Sequence, residues 1–266
     1  MNKPDRTQQE SLTVPPPDSS HHPSPITHHN PQSIRINKFF TQHGICSRRE
    51  ADALIESGRV TINGRTAKLG DQVSQADAIA RDGTVIPWGQ AFVYIKYHKP
   101  VGVTTTSESH VPRNIIAEIG HPERIFPIGR LDKDSSGLIL LTNDGSIVNE
   151  ILRTEFGHER EYVVEVDHPF DEAFLTQMAA GVMVLGSLTK PCRMERVRAN
   201  RFRIVLTEGR NRQIRRMCQA LGYRVTGLHR VRIMHIGIEG LHAGQWKLLT
   251  ERERTHLFLA VGRPAG

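Results

Sequence analysis

The sequence predicts an α+β fold: a small basic unit, followed by a larger region whose mostly antiparallel mixed sheet is flanked by helices. Stretches that alternate like strands outnumber those with helical spacing, and the two kinds do not alternate strictly, as they would in a parallel α/β fold. The length of 266 residues suits one large domain or two modest ones. No apolar run of about 18 residues occurs, so we expect no membrane-spanning helix.

The first segment, residues 1–33, has the composition of a disordered tail. It includes "VPPPDSSHHPSPITHHNPQ", which is rich in Pro, Ser and His and has too few apolar residues to offset the entropy of ordering. It also lacks the apolar core of a secretory signal. The pairs His21-His22 and His28-His29 could hold a metal ion, but no Cys or acidic cluster completes such a site, so a low-complexity tail is the favoured interpretation.

The next segment, residues 34–87, predicts a compact unit of two short helices and a small sheet. In "IRINKFFTQHG" the apolar residues have helical spacing, and Gly44 is a good residue to end that helix. Ser47 and Glu50 have the spacing of a capping box at the start of the second helix. Asn63-Gly64, between two short extended runs, predicts a hairpin.

Basic residues of this unit are expected at the helix starts and in the hairpin. Such positions suit phosphate groups, although a solvated surface is the alternative. The RNA-binding candidates in this unit are Lys38, Arg48, Arg49 and Arg65, with Arg59 and Lys68 nearby.

After a predicted linker at residues 86–91, the larger region, residues 92–256, contains most of the predicted strands. They lie in "FVYIKYHKP", "REYVVEVD", "RFRIVLTEG" and "GLHRVRIMHIGIEGL", and "VGVTTT" is expected to be extended. The continuous apolar run Leu138–Leu141 predicts a strand that is buried on both faces.

Three helices are predicted in the same region. Asn143 or Asp144 is expected to cap the first, and Asp171 the second. The third lies in "NRQIRRMCQALG" and is expected to end at Gly222. We assign residues 257–266 to a short C-terminal tail.

The charge and cysteine content narrow the class of protein. A net charge of +7 and a pI of about 9.6 favour a polyanionic partner such as RNA or DNA over an ordinary basic protein. Cys46, Cys192 and Cys218 are far apart and lack metal-ligand spacing. They favour a reducing compartment, so we expect a cytoplasmic protein.

The helix in "EGRNRQIRRMCQALG" has two faces. Ile214, Met217, Cys218 and Leu221 form an apolar stripe at helical spacing. Arginines crowd the opposite face and the segment before it, and they repel one another unless an anion is near. A solvated face would explain them, but their planar guanidinium groups suit phosphate or carboxylate, and we favour that interpretation.

The stretch "GRLDKDSSGLILLTNDG" places two acids beside a buried strand. Asp132 is either a turn residue or a reactive carboxylate. If an arginine of the later helix packs beside it, the pKa of this carboxyl falls below its usual range, and an ionised, partly dehydrated carboxylate is a usable nucleophile. Asp134 is the competing candidate, and spacing alone does not choose between them.

Several enzyme classes lack their sequence signatures in this chain. No Walker-type phosphate loop, HExxH motif or GxSxG motif occurs, which argues against ATP-dependent, zinc-dependent and serine-hydrolase chemistry.

Taken as a set, several motifs resemble a known family. "HKPVG", "GRLDKDSSGLILLTNDG", "REYVVEV" and "EGRNRQIRRM" occur in the order found in RNA pseudouridine synthases. The segment "INKFFTQHGICSRREADALIESGRVTINGRTAKLGDQV" resembles the S4 RNA-binding domain, which the bacterial ribosomal branch of that family carries at its N-terminus. "GICSRREAD" and "FPIGRLDKDSSGL" are similar to the F-type enzymes of that branch, and the resemblance covers about residues 34–256.

The resemblance implies roles for single residues. Asp132 corresponds to the catalytic aspartate, Tyr162 to the tyrosine that stacks on the target base, and Arg215 to the basic residue that pairs with the aspartate. From the alternating strand alone, Tyr162 would be an ordinary core residue. Further RNA contacts are implied for Arg130, Leu131, Lys133, Arg212, Gln213 and Ile214.

The implied reaction isomerises a specific uridine of 23S ribosomal RNA to pseudouridine and needs neither cofactor nor metal. The expected partner is therefore RNA, and a monomer is expected. Two alternatives stay open: tRNA as an additional or main substrate of the same chemistry, and a non-catalytic RNA-binding factor in ribosome assembly.

Overall fold

The computed structural model describes residues 33–89 and 91–264, which contain seven α-helices and seventeen strands. The predicted N-terminal tail and its histidine pairs, up to residue 32, lie outside the described residues. The helices are α1 Ile36–Gln42, α2 Arg48–Glu56, α3 Ile115–Ile119, α4 Val148–Leu152, α5 Glu172–Ala180, α6 Gln213–Ala220 and α7 Glu251–Ala260. The strands are β1 Ile34–Arg35, β2 Val60–Ile62, β3 Arg65–Thr66, β4 Gln72–Val73, β5 Ile79–Arg81, β6 Thr84–Ile86, β7 Tyr94–Lys99, β8 Phe126–Ile128, β9 Ser136–Thr142, β10 Arg160–Val166, β11 Met183–Val184, β12 Ser187–Leu188, β13 Arg193–Arg198, β14 Arg201–Leu206, β15 Val225–Ile233, β16 Ile236–Gly237 and β17 Trp246–Leu248.

The N-terminal unit forms the two helices and the hairpin that its local signals predict. Ser47 and Glu50 make both hydrogen bonds of the capping box at the start of α2. Gly44, just after α1, has φ +63°, and Asn63 and Gly64 both have positive φ in the turn between β2 and β3. The strands β3-β2-β5-β6 form one small sheet.

The larger region is built on a nine-stranded sheet in the order β13-β14-β10-β15-β9-β7-β17, with β8 and β16 paired to β9 and β15. Every strand pair in it is antiparallel except β15 and β9, where His229 and Arg230 lie beside Ser136 and Gly137 in parallel. This mixed, mostly antiparallel sheet with flanking helices confirms the predicted α+β class.

The core lies on both faces of this sheet. Ile139 and Leu141 of β9 pack into one apolar cluster together with residues of α3, α5 and α6. Leu138 and Leu140 pack into a second cluster with residues of α4 and α7. Because β9 is covered on both faces, its sequence is an unbroken apolar run, as predicted.

Two local predictions in this region are wrong because longer-range contacts use the same side chains. Neither Asn143 nor Asp144 caps α4, which begins after Ile147 without a side-chain cap. Asn143 instead accepts a hydrogen bond from Val93 N and donates one to Ala91 O, tying down the chain that leaves the N-terminal unit. The side chain of Asp144 accepts hydrogen bonds from Tyr94 Oη and from Ser146.

The prediction of extended chain for "VGVTTT" is also wrong at its start. Val101 and Gly102 form a turn in which Gly102 has φ +93°, and Gly102 N donates to Lys133 O. Helix α7, which the sequence analysis did not predict, continues to Ala260, beyond residue 256.

The two units touch through a close crossing of backbones. A Cβ atom added to Gly145 would lie 2.9 Å from Thr41 O, so only glycine fits there without a shift. Arg124 of the larger region also makes an ion pair of 2.8 Å with Glu50 of the N-terminal unit. Among the described residues, no helix is long and apolar enough to cross a bilayer.

Candidate active site

The loop that carries Asp132 joins β8 to β9 and is held by hydrogen bonds from the segment that follows β7. Leu131 is buried, and its backbone carbonyl accepts a hydrogen bond of 2.7 Å from the Thr105 hydroxyl. Lys99 is fully buried, and its ammonium group donates to the carbonyls of Pro100 and Val103. Burial lowers the pKa of Lys99 to about 8, although the negative charges of Asp134 and Asp132 oppose that shift. Lys99 thus ties together the segment that follows β7, and Thr105 and Gly102 of that segment hold the Asp132 loop through Leu131 O and Lys133 O.

Two arginines of the α6 segment meet the two acids of this loop. Arg212 Nη1 lies 3.1 Å from Asp132 Oδ2, and Arg212 Nη2 lies 3.2 Å from Asp134 Oδ2. Arg215 is closer to Asp134, at 3.3 Å, than to Asp132, at 3.9 Å from Nε. The predicted meeting of arginine and aspartate therefore occurs, with Arg212 making the shorter contact to Asp132.

The two arginines differ in how firmly they are held. The side chain of Arg215 is only 14% exposed and also donates to Asp134 O, Ser135 Oγ and Val225 O. Its Nε is buried and has no hydrogen-bond partner among the described residues. Arg212 is more exposed and has the left-handed φ of +51° at the start of α6. Arg215 is thus held in place by its hydrogen bonds to the surrounding chain, whereas Arg212 contacts the two carboxylates from their exposed side.

Asp132 and Asp134 differ in a way that the sequence does not show. Partial burial would raise the pKa of Asp134, but the hydrogen bond from Arg212 and the charges of Arg215 and Arg212 outweigh it, so this pKa is lowered. Asp132 is 32% exposed and, unlike Asp134, lines the cavities that Tyr162 also lines. Position in the cavity therefore favours Asp132 as the reacting carboxylate.

Tyr162 lies on β10 near the middle of the sheet, between β14 and β15. It is 9% exposed, and its remaining surface faces two adjoining cavities. The smaller, which we call the slot, has a volume of about 90 Å³ and is lined by Asp132, Tyr162, Ile214 and Arg215 among others. The larger, which we call the chamber, has a volume of about 380 Å³. The three predicted catalytic residues thus meet around one opening.

The other predicted RNA-binding residues of the larger region separate into two groups. Arg130 and Lys133 are exposed beside the slot and the neighbouring surface groove. Leu131, Gln213 and Ile214 are buried. The amide of Gln213 donates to Glu208 and accepts from Arg210 N, so its polar atoms are occupied within the protein.

The predicted RNA-binding residues of the N-terminal unit lie elsewhere. Lys38 and Arg48 line a cleft of about 620 Å³ between the two units, together with Arg124 and Arg153 of the larger region. Arg65 pairs with Asp71 at 3.0 Å, and Arg49 is exposed. Sequence analysis missed Arg124 and Arg153, because nothing in their local sequence shows that they face the N-terminal unit.

Sequence analysis also missed two arginines that line the chamber, Arg160 and Arg230. Both lie in alternating strands, where a basic residue is normally a solvated one. Arg210, which belongs to the arginine cluster predicted to suit an anion, lines the chamber as well. Arg210 holds the hairpin of β11 and β12 by hydrogen bonds to Ser187 and Leu188. Among the described residues, no group of three or more His, Cys, Asp or Glu side chains is placed to hold a metal ion.

Comparison with known proteins follows the division seen in the structure. The sequence model of the family described as RNA pseudouridylate synthase matches residues 93–220, and that of the S4 domain matches residues 34–79. The chain is 49% identical, over 231 residues, to the dual-specificity RNA pseudouridine synthase RluF of Salmonella typhi, covering 86% of this chain and 80% of that protein.

More distant relatives agree. The chain is 32% identical to the ribosomal large subunit pseudouridine synthase B of Bacillus subtilis, covering 82% of this chain and 93% of that protein. A crystal structure of a pseudouridylate synthase superposes with a TM-score of 0.62 at 30% identity, covering 83% of this chain and 97% of the other. An S4 domain, the synthase domain and relatives matched over most of their length therefore lead to one conclusion: this chain belongs to the RNA pseudouridine synthase family.

Proposed function

We propose that this protein converts a specific uridine of 23S ribosomal RNA to pseudouridine, with Asp132 as the reacting carboxylate. The observation that carries the proposal is the meeting of Asp132, Arg212 and Tyr162 at the opening of one cavity. An ion-paired carboxylate beside an aromatic wall has the parts needed to attack a nucleoside and to stack its base. The large-subunit substrate is supported by the name of the Bacillus subtilis relative.

The reaction replaces the N1–C1′ bond of the uridine by a C5–C1′ bond, with loss of a proton from C5 and gain of one at N1. The target uridine leaves its stack, at a cost of a few kcal/mol, and enters the slot against Tyr162. Cleavage of the N1–C1′ bond leaves the electron pair on the uracil, while Asp132 attacks the sugar or stabilises its positive charge. After the uracil turns, C5 bonds to C1′; where Asp132 has attacked the sugar, its bond to C1′ breaks in this step and the carboxylate leaves. The C5 proton is then removed and N1 is protonated. No atoms are gained or lost.

In this proposal the two domains have different roles. Residues 34–87 are assigned to the S4 unit, and the catalytic unit runs from residue 92 to the end of α7 at Ala260 rather than to residue 256, because Leu257 of that helix is buried in its core. Basic side chains of both units line the cleft between them, and Lys38 and Arg48 face Arg124 and Arg153 across it. Their charges suit the phosphates of an RNA strand. We further propose that the protein acts as a cytoplasmic monomer.

The decisive test replaces Asp132 and compares it with its neighbour. We expect Asp132→Asn to abolish pseudouridine formation in a 23S ribosomal RNA transcript. The variant should still bind that transcript within about threefold of the wild type, because the basic side chains that contact phosphates are unchanged. Asp134→Asn is the matched control, since it removes the competing carboxylate and should retain conversion. Undiminished conversion by Asp132→Asn would refute the role of Asp132.

A second candidate substrate is tRNA, because the Salmonella typhi relative is named a dual-specificity enzyme. Mapping pseudouridine in ribosomal and transfer RNA from deletion and complemented cells separates the substrates. If every site persists in the deletion strain, both substrates are refuted. If Asp132→Asn also restores the deletion phenotype, the non-catalytic assembly role is favoured.

A further inference from the structure

Arg160 and Arg230 lie deep in the wall of the chamber and lack the partners that buried arginines usually have. Arg230 is 3% exposed and Arg160 is 9% exposed. Arg230 Nε donates to Leu138 O, and Arg160 Nη2 donates to Ile151 O. Within the described residues neither guanidinium pairs with a carboxylate, and Nη2 of Arg230 has no hydrogen-bond partner. Burying charge in this way is costly unless a counter-charge arrives.

The two arginines are next to each other and to the active site. Arg230 is paired with Tyr162 across β10 and β15, and its guanidinium carbon lies 6.0 Å from the centre of the Tyr162 ring. Burial lowers the pKa of Arg160; the nearby Tyr162 opposes this shift and the positive charge of Arg230 adds to it. Two like charges are therefore held close together, and burial disfavours the charge of Arg160.

The chamber around them has the size and the charge of an anion site. Its volume is about 380 Å³, and Asp132 is the one carboxylate among its lining residues, against Arg130, Arg160, Arg210 and Arg230. Part of its remaining wall is apolar, and the burial of Arg160 and Arg230 beside it strengthens their electrostatic attraction to an anion. The apolar part comprises Ile128, Leu140, Ile151, Leu152 and Ile233.

We propose that the chamber is a phosphate subsite, in which Arg160 and Arg230 bind the phosphodiester next to the flipped uridine of the RNA substrate. This inference rests on the proposed function of the slot. A full negative charge offsets buried guanidinium groups, which a neutral uracil carbonyl cannot do, and paired guanidinium geometry matches phosphate oxygens. The chamber adjoins the slot through Asp132 and Tyr162, so a strand whose base enters one places its backbone at the other.

The test is a binding cycle between the arginines and single phosphates. RNA segments that contain the mapped target uridine are made with one uncharged methylphosphonate linkage, placed in turn on either side of that uridine. For the wild-type protein we expect one of these linkages to weaken binding at least fivefold. For Arg230→Gln the same linkage should change binding less than twofold, because the phosphate charge that the linkage removes is no longer paired with the guanidinium of Arg230.

A second variant and a control keep the result interpretable. Arg160→Gln should show the same loss of sensitivity if Arg230→Gln fails to fold, and Arg230→Lys should restore part of it. Arg252→Gln, an exposed arginine on α7, should retain the full wild-type sensitivity. The salt dependence gives an independent readout: the slope of log K against log salt should fall by about 0.7–0.9 for each variant that loses a phosphate contact.

The outcomes separate the subsite from the proposed function. The subsite is refuted, and the arginines are structural, in either of two cases. In the first, the fold losses in affinity from the arginine variant and from the uncharged linkage multiply without coupling; in the second, neither linkage affects wild-type binding. Conversion is measured on the unmodified RNA in parallel. Failure of the wild type to form pseudouridine there refutes the proposed function, whatever the binding cycle shows.

Discussion

At the scale of single residues, the site depends on how two acids share two arginines. Asp132 faces the cavities, whereas Asp134 receives more of the positive charge. Arg215 is anchored to the backbone of the same loop by its bond to Asp134 O. The two acids therefore differ in surroundings: Asp134 pairs with both arginines, and Asp132 is left facing the cavities.

The depressed pKa of Asp134 gives a prediction for acid stability. Its lowered folded-state pKa stabilises the fold fully above its ordinary value of 3.8, and this contribution is lost as the pH falls through the folded value. Asp134→Asn should thus lower the free energy of unfolding by up to about 1 kcal/mol at pH 7, since the group is half exposed. The difference should shrink as the pH falls below 3.8.

Urea unfolding at several pH values measures this effect. Glu108→Gln is the control, because Glu108 is exposed and its ion-pair contact is a histidine. A deficit for Asp134→Asn that does not shrink as the pH falls below 3.8 would contradict the assignment.

Lys99 gives a prediction for stability at alkaline pH. Its pKa falls from 10.5 to about 8 on folding, so between these values the unfolded chain binds more protons than the folded one. The wild type should therefore gain stability relative to Lys99→Met as the pH rises from 8 to 10, by a few kcal/mol at most. Unfolding free energies at pH 7, 8, 9 and 10 measure this, and parallel curves for the two proteins would refute it.

At the scale of elements, the approach of β9 to β15 positions the catalytic loop. Gly137 pairs with Arg230, and a Cβ atom added to Gly137 would lie 2.2 Å from Arg230 O. The single parallel pairing of the sheet therefore depends on a glycine at the start of β9, the strand that follows the loop carrying Asp132. It also brings the strand that carries Arg230 beside the loop that carries Asp132.

Replacing Gly137 should lower the free energy of unfolding much more than its positive φ alone predicts. Gly137→Ala is expected to lower the unfolding free energy by about 3 kcal/mol or more and to abolish conversion, because β9 must move away from β15. Gly186→Ala is the matched control: it also has positive φ, but open space surrounds its Cβ position. We expect it to cost about 1 kcal/mol. Equal losses for the two variants, measured by thermal and urea unfolding, would show that the clash is relieved.

At the scale of the whole molecule, the contact between the S4 domain and the catalytic domain sets how one RNA reaches both. Gly145 lies against the backbone of Thr41, and Arg124 pairs with Glu50 beside it. Around this contact lies the cleft that carries Lys38, Arg48, Arg124 and Arg153. The backbone contact and the Arg124–Glu50 pair together hold these charges in one relative position.

Loosening this contact should impair RNA use more than folding. Gly145→Ala places a Cβ atom 2.9 Å from Thr41 O, and we expect it to lower kcat/KM on the ribosomal RNA transcript about tenfold, mainly through KM. Far from this contact, Gly244→Ala meets open space and should leave kcat/KM within twofold. Limited proteolysis near residues 86–92 should become faster in Gly145→Ala only. Unchanged kinetics and proteolysis would show that the domains dock independently of this crossing.

The elements that the sequence predicts well have signals contained within a few residues. The capping box at Ser47, the turn at Asn63-Gly64 and the cap at Asp171 all form as expected. The predictions for Asn143 and Asp144 failed because their side chains bond to Val93 and Tyr94, far away in the chain. A local pattern does not reveal that a more distant group competes for the same atoms.

The sequence by itself determined the α+β class, the order of the domains and the chemical groups available for catalysis, because composition, periodicity and caps act locally. Tertiary structure decided which arginine meets which aspartate, that Arg160 and Arg230 face a cavity, and that Gly145 joins the domains. These facts follow from strand order and parallel pairing, which bring together β9, β10 and β15 from separate parts of the chain. Burial and charge pairing depend on that assembly, so no short stretch of sequence contains them.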